Sequence, residues 1–320
     1  MTEKIKTKKT FFGMTSEKRK KLGFYLIFIA FPVLHYLVFY VYINFNSFVL
    51  AFREYYVESA RLTYKAAGFT NFASAFKILA ENSRAMWNSF LMLAVQLFVT
   101  TPLALLFSYF IYKRRRGTEF FRVMLFLPSV LSAVVFGLLY QAISDKVVGE
   151  IQTKIFKAEE VTNFLTSPKT SLLAVIIFNI LMGFGVSVLT YSGTMSGINV
   201  SLIESAELDG CSPFQEFIKI VIPLIWPTVI TLMIVSFSRV FTDQWQVYTL
   251  LNTSATGTTT NLGYFLYRST LESGGFIGNG TPNNIAYPTL SAMGLILTVI
   301  VLPLTLILRW ALNKYGPKAD

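Results

Sequence analysis

The sequence predicts an all-α, polytopic membrane protein with about six transmembrane helices and one cytoplasmic helix–glycine–helix loop. Three observations carry this expectation. Hydrophobic residues fill 53% of the 320 positions and charged residues only 14%, where a soluble domain carries roughly 25% charge. The apolar residues gather into six runs of about twenty, the length a helix needs to cross a hydrocarbon core of ~30 Å. The 28 Lys and Arg residues alternate in density between the segments that join those runs.

The first run, about 23–43, follows a basic tail (residues 1–22) containing Lys18, Arg19, Lys20 and Lys21. No small-residue cleavage site follows it, so it reads as an uncleaved span rather than a signal peptide. The second covers about 90–112, the third 123–143, the fourth 172–191, the fifth 224–241 and the sixth 290–310. With the N-terminus in the cytoplasm, 17 basic residues fall inside and ten outside, while acidic residues divide eight and eight. That bias predicts both termini inside. It also assigns the net charge of +11 to membrane topology and anionic lipid rather than nucleic acid. Three external loops of roughly 40, 30 and 45 residues result, and a short tail (314–320) closes the chain.

Between spans four and five lies the most informative segment, about 196–223. Ser201 followed by Glu204 has the spacing of a capping box that opens a short helix. Gly210 suits the left-handed position that closes it. Ser212, Pro213 and Gln215 then supply an N-cap, a proline at the first helical position and a second capping box. Pro223 is expected to end that second helix before the fifth span. Phe214, Phe217, Ile218 and Val221 recur at three- and four-residue steps and form an apolar stripe, which on its own describes an amphipathic connector lying on the lipid surface.

Glu204, Ala206, Asp209, Gly210, Phe217, Ile220, Pro223 and Pro227 match the spacing of the EAA loop. On these residues the chain resembles the permease subunits of binding-protein-dependent ABC importers. Ser205 and Cys211 depart from the usual alanines and are equally small. The stretches Gly68–Phe72, Trp87–Ser89, Phe121–Arg122 and Phe126–Pro128 extend the resemblance to the carbohydrate-uptake, maltose-type first permease over about residues 22–313. The last external loop departs from the family: residues 253–260 replace its Gly-Gly-Pro turn. The resemblance implies a transmembrane permease domain over 23–313 in a bacterial inner membrane. Glu204, Ala206, Asp209, Gly210, Phe214 and Phe217 would then dock on an ATP-binding subunit. It further implies a second permease subunit, a dimer of ATP-binding subunits, an extracytoplasmic solute-binding protein and a sugar or oligosaccharide substrate moved by ATP-driven alternating access. Non-sugar permeases, such as those for glycerol-phosphate, remain open, as does a channel or membrane enzyme without ATP coupling.

No phosphate-binding Gly-rich loop occurs, so ATP hydrolysis is expected on a partner chain. One His and one Cys exclude a multi-histidine metal site and a disulfide framework; no cofactor or metal is expected. Arg239 is the one charge well inside a run, where it needs a partner or water. Asp243, one helical turn on, fits either an ion-pair brace or, with Arg239, Gln244 and Trp245, the wall of a sugar path. Gly183 and Gly185 read as close-packing positions, His35 as a satisfied interfacial or buried group, and the threonine-rich loop as solvated chain.

Overall fold

The computed structural model describes residues 16–58, 61–154, 163–252, 255–273 and 285–317. Most of the basic tail, residues 253–254 of the threonine-rich loop and residues 318–320 lie outside them. The described residues form an all-helical bundle with one small hairpin. Five helices are long and apolar enough to span a membrane. These are α1 (Lys20–Leu50), α3 (Ser83–Tyr112), α6 (Ser171–Met195), α8 (Pro213–Arg239) and α11 (Tyr287–Tyr315).

The expected third span is not one straight helix. It is a pair, α4 (Thr118–Val130) and α5 (Ala133–Lys154), bent by 105° at the break. Pro128 lacks the N–H that would bond the Met124 carbonyl, and Leu131 is extended (φ −71°, ψ 148°). Ser129 Oγ donates to the Phe126 carbonyl, 2.7 Å away, and a new helix starts on the Ser132 carbonyl. Gly185 of α6 accepts this irregular backbone: a Cβ there would overlap the Leu125 carbonyl and stand 2.9 Å from the Phe126 Cα. Gly185 is thus a close-packing glycine. Gly183 has open space where its Cβ would stand and does not serve close packing.

The segment between α1 and α3 carries its own structure. It holds an antiparallel hairpin, β1 (Arg53–Glu58) with β2 (Arg61–Ala66), and α2 (Thr70–Glu81). Buried Asn71 Nδ2 donates to the carbonyls of Ala51 and Arg53, both at 2.9 Å, which fixes the turn from α1 into the hairpin. α2 rests on α11 through Ala75, Leu79, Met293 and Ile296. A second core joins α5 and α6 to α9 (Trp245–Leu251) around Phe178, Tyr140 and Leu250. A third holds Tyr191, Met195, Phe217 and Val221 where α3, α6 and α8 converge. α1 stands apart: its apolar side chains are exposed along most of its length, and Ile43–Leu50 meets α11. His35 is exposed on it, its ring 4.8 Å from that of Phe39, rather than buried.

The threonine-rich segment is also held in place. Asn88 Nδ2 donates to the carbonyls of Thr258 (3.0 Å) and Thr260 (2.9 Å), and Ser89 Oγ accepts the Leu262 N–H. Asn261 Oδ1 accepts the Tyr264 N–H at 2.7 Å and so caps α10 (Leu262–Glu272). Residues 258–260 are therefore held and partly buried, while Thr256 and Gly257 remain exposed.

Candidate functional site

A cavity of about 350 Å3 opens between α3, α6 and α8, within the range of small-ligand sites. Its polar wall comes from several directions: Gln96 from α3, Asn179 and Ser187 from α6, Ser236 and Arg239 from α8, with Asp243, Gln246 and Asn261 from the segments beyond. Gln96 begins a π-helical turn, Gln96–Thr100. The Thr101 hydroxyl donates to the Gln96 carbonyl at 2.8 Å, supplying a bond where the α pattern slips. Gly183 lines the same cavity, so its missing side chain leaves room rather than permitting a helix contact.

Arg239 ends α8, where a cation suits the helix dipole. The expected brace to Asp243 does not form. The turn from Arg239 to Asp243 is kept, the Asp243 N–H bonding the Arg239 carbonyl at 2.8 Å, but the Asp243 carboxylate is used locally. Oδ1 accepts the Trp245 N–H and Oδ2 accepts from Gln246 Nε2, each at 3.1 Å. The described residues contain no ion pair to Arg239. The cavity therefore combines amides and hydroxyls with one cation and one carboxylate, able to donate to and accept from a polyhydroxylated ligand.

The other end of α8 carries the second site. The helix α7 (Val200–Leu208) begins one residue before Ser201, with Asn199 as its cap: Asn199 Oδ1 accepts the Ser201 N–H at 3.1 Å. It closes in a Schellman motif: Gly210 has φ +77°, its N–H reaches the Glu207 carbonyl, and the Cys211 N–H reaches that of Ala206. The Ser212–Gln215 capping box is formed, with Pro213 at the first helical position. Pro223 does not end this helix. A π-turn over Phe217–Val221, in which the Ile222 N–H reaches the Phe217 carbonyl, carries it past Pro223 into the span.

The apolar stripe is split by this continuity. Phe217 and Val221 are buried, whereas Phe214 and Ile218 are exposed. The Phe217 ring lies 4.9 Å from Tyr109, whose hydroxyl donates to the Pro213 carbonyl at 3.0 Å. Lys113, just past α3, clamps the loop: its Nζ is 2.8 Å from Glu216 and 3.1 Å from Glu207. Glu216 is 1% exposed and its Oε1 has no partner. Burial pulls the Lys113 pKa down, but hydrogen bonds to Glu216 and Glu207 more than offset this, so it is raised.

The family profile described as "binding-protein-dependent transport system inner membrane component" matches residues 77–319. The chain belongs to this family. Relatives of this inner membrane component include the maltose/maltodextrin permease MalF of Escherichia coli K12. The two are 28% identical over 191 residues, 57% of this chain and 37% of MalF. MalF of Salmonella typhimurium is 30% identical over 169 residues, 50% of this chain and 33% of that protein. The chain thus spans about a third of the length of these relatives. The sn-glycerol-3-phosphate permease UgpA of Yersinia pestis is 26% identical over 254 residues, 77% of this chain and 80% of UgpA. The fold matches a chain of a bacterial alginate ABC transporter, solved with a periplasmic protein that holds an alginate pentasaccharide. The TM-score is 0.74 at 20% identity, covering 95% of this chain and 99% of that one.

In this inner membrane component, Glu204, Asp209, Gly210 and Phe214 are exposed together on the loop and Ala206 is half-buried. Phe217 points into the core and anchors the loop instead. Arg239 and Asp243 share the cavity wall, whereas Gln244 and Trp245 lie outside it, the indole exposed. Sequence reasoning missed Gln96, Asn179, Ser187, Ser236, Gln246 and Asn261, single polar residues whose convergence no local spacing announces. It also missed the Lys113–Glu216 pair and the exposed apolar side chains of Val200, Leu202 and Leu208.

Proposed function

We propose that this chain is the permease subunit of an ABC importer that brings a sugar or oligosaccharide into the cytoplasm by ATP-driven alternating access. The observation that carries the reading is the cavity between α3, α6 and α8. Its neutral amides and hydroxyls can both donate to and accept from sugar hydroxyls. The named solutes of several relatives, maltose and maltodextrin and alginate, support the same class.

ATP is hydrolysed on a partner dimer, docked on the exposed loop formed by Glu204, Ala206, Asp209, Gly210 and Phe214 with Leu202 and Leu208. Exposed leucines rimmed by carboxylates are the surface such a contact requires. Displacement of the loop then reaches the cavity through α8, which begins at Pro213 beside Phe214 and ends at Arg239 in the cavity wall. Phe214 and Arg239 are about 37 Å apart along one helix at 1.5 Å per residue. A second permease subunit completes the pathway, an extracytoplasmic solute-binding protein delivers the sugar, and both termini lie in the cytoplasm.

The test is substrate-stimulated ATP hydrolysis by the purified complex against a panel of oligosaccharides and glycerol-3-phosphate, each with its binding protein. An oligosaccharide is expected to stimulate, and Asn179→Ala with Ser236→Ala to abolish stimulation while the complex still assembles. Stimulation by glycerol-3-phosphate alone would replace the sugar reading with the phosphate-ester one.

A further inference from the structure

We propose that the turn between α3 and α4 is a binding site for one anionic phospholipid, its phosphate held by Arg114, Arg115 and Arg122 and an acyl chain laid along α4. A cavity of about 360 Å3 opens at this turn, lined by those three arginines together with Thr118 and Glu119. None of the three arginines is ion-paired among the described residues. Three cations against one carboxylate leave the cavity positive, and guanidinium groups bind phosphate oxygens in a matched, bidentate geometry. The turn that presents them is defined: Arg114 has φ +46° and Gly117 φ +89°, and the Thr118 hydroxyl donates to the Arg115 carbonyl.

A separate feature selects a lipid over a free anion. An apolar groove of about 250 Å3 starts at Arg122, runs past Val123, Phe126 and Leu127 to Val130, and is walled by Leu189 of α6. Arg122 lines both cavities, so headgroup and chain sites adjoin at this residue. Arg122 to Val130 covers roughly 12 Å of helix, the reach of the upper part of an acyl chain. α3 ends at Tyr112 and the next apolar run begins at about residue 123, so the arginines lie between two apolar runs, where a bilayer changes from hydrocarbon to headgroup. A soluble phosphate would leave the groove unused, and a zwitterionic lipid would leave the charge uncompensated. This site is independent of the sugar cavity and of the transport reading.

The test is native mass spectrometry of the purified complex after equilibration with equal amounts of phosphatidylglycerol and phosphatidylcholine. The wild type is expected to retain phosphatidylglycerol at least fivefold over phosphatidylcholine. Arg114→Gln with Arg122→Gln should remove that preference, and Phe126→Ala with Leu127→Ala should lower retention of the lipid. Where the double arginine variant does not assemble, Arg122→Gln alone is read, with at least a threefold loss expected. Equal retention of the two lipids, or an unchanged preference in the arginine variants, overturns the proposal. So does displacement of phosphatidylglycerol by millimolar inorganic phosphate, which would make the cavity a free-anion site.

Discussion

Lys113 and Glu216 are 103 positions apart in sequence, yet their contact ties the start of α8 to the end of α3. Removing the cation strands a carboxylate that is 1% exposed. Lys113→Met should therefore destabilise the purified complex by about 3 kcal/mol, and adding Glu216→Met should recover most of it. Differential scanning fluorimetry reads both, and an additive double variant contradicts the pairing. Because the Lys113 pKa is raised on folding, its contribution is complete below the unfolded value of about 10.4 and is lost as pH rises through the folded value. The gap between wild type and Lys113→Met should accordingly be flat from about pH 7 to 9 and narrow above about pH 10. Gly210 makes a different point. Nothing lies within 4 Å of where its Cβ would stand, so Gly210→Val meets only the cost of a β-branched residue at φ +77°, about 1–2 kcal/mol. The variant should insert normally and fail to retain the ATP-binding subunits on affinity purification; full retention would remove the loop from the coupling role.

At the scale of elements, what was legible followed from local chemistry and what was missed came from distance. Five apolar runs and the Gly210 and Ser212 caps were readable because each depends on a few adjacent residues. The Ser201 capping box misplaced its helix start because Asn199, an equally good cap, stands two residues earlier. Pro128 was visible, but hydropathy alone cannot separate a straight span from one bent by 105°, since composition is the same for both. Pro223 looked like a helix end, yet the π-turn just before it, in which the Ile222 N–H reaches the Phe217 carbonyl, carries the helix past the missing N–H. In the candidate site, Arg239 and Asp243 stood out as charges in an apolar setting, whereas Asn179 and Gln96 became site residues only when three helices met. The hold of α3 on the threonine-rich turn is likewise long-range: Asn88 reaches two carbonyls about 170 positions on. Asn88→Ala should leave those buried carbonyls short of donors, at a cost of roughly 1–3 kcal/mol. Hydrogen exchange of residues 255–262 should then accelerate tenfold or more while α11 is unchanged. Equal exchange in both proteins would show that the turn is held by other contacts.

For the molecule as a whole, the two proposed sites lie toward opposite ends of α8, which lets one helix connect them. A cysteine at Thr256 should react with an impermeant maleimide in sealed cells, whereas native Cys211 should react only after permeabilisation. Labelling of Cys211 in sealed cells would reverse the orientation. The long apolar surface of α1 and the bent α4–α5 pair leave much of the chain's surface to lipid or to other subunits, in keeping with a subunit of a larger assembly. The most direct test of the central claim is accumulation of a labelled oligosaccharide by proteoliposomes containing the full complex and binding protein, with and without ATP on the cytoplasmic side. Accumulation above the external concentration is expected only with ATP, and its loss is expected in the Asn179→Ala, Ser236→Ala variant. Equilibration without ATP would make the protein a channel and contradict the account.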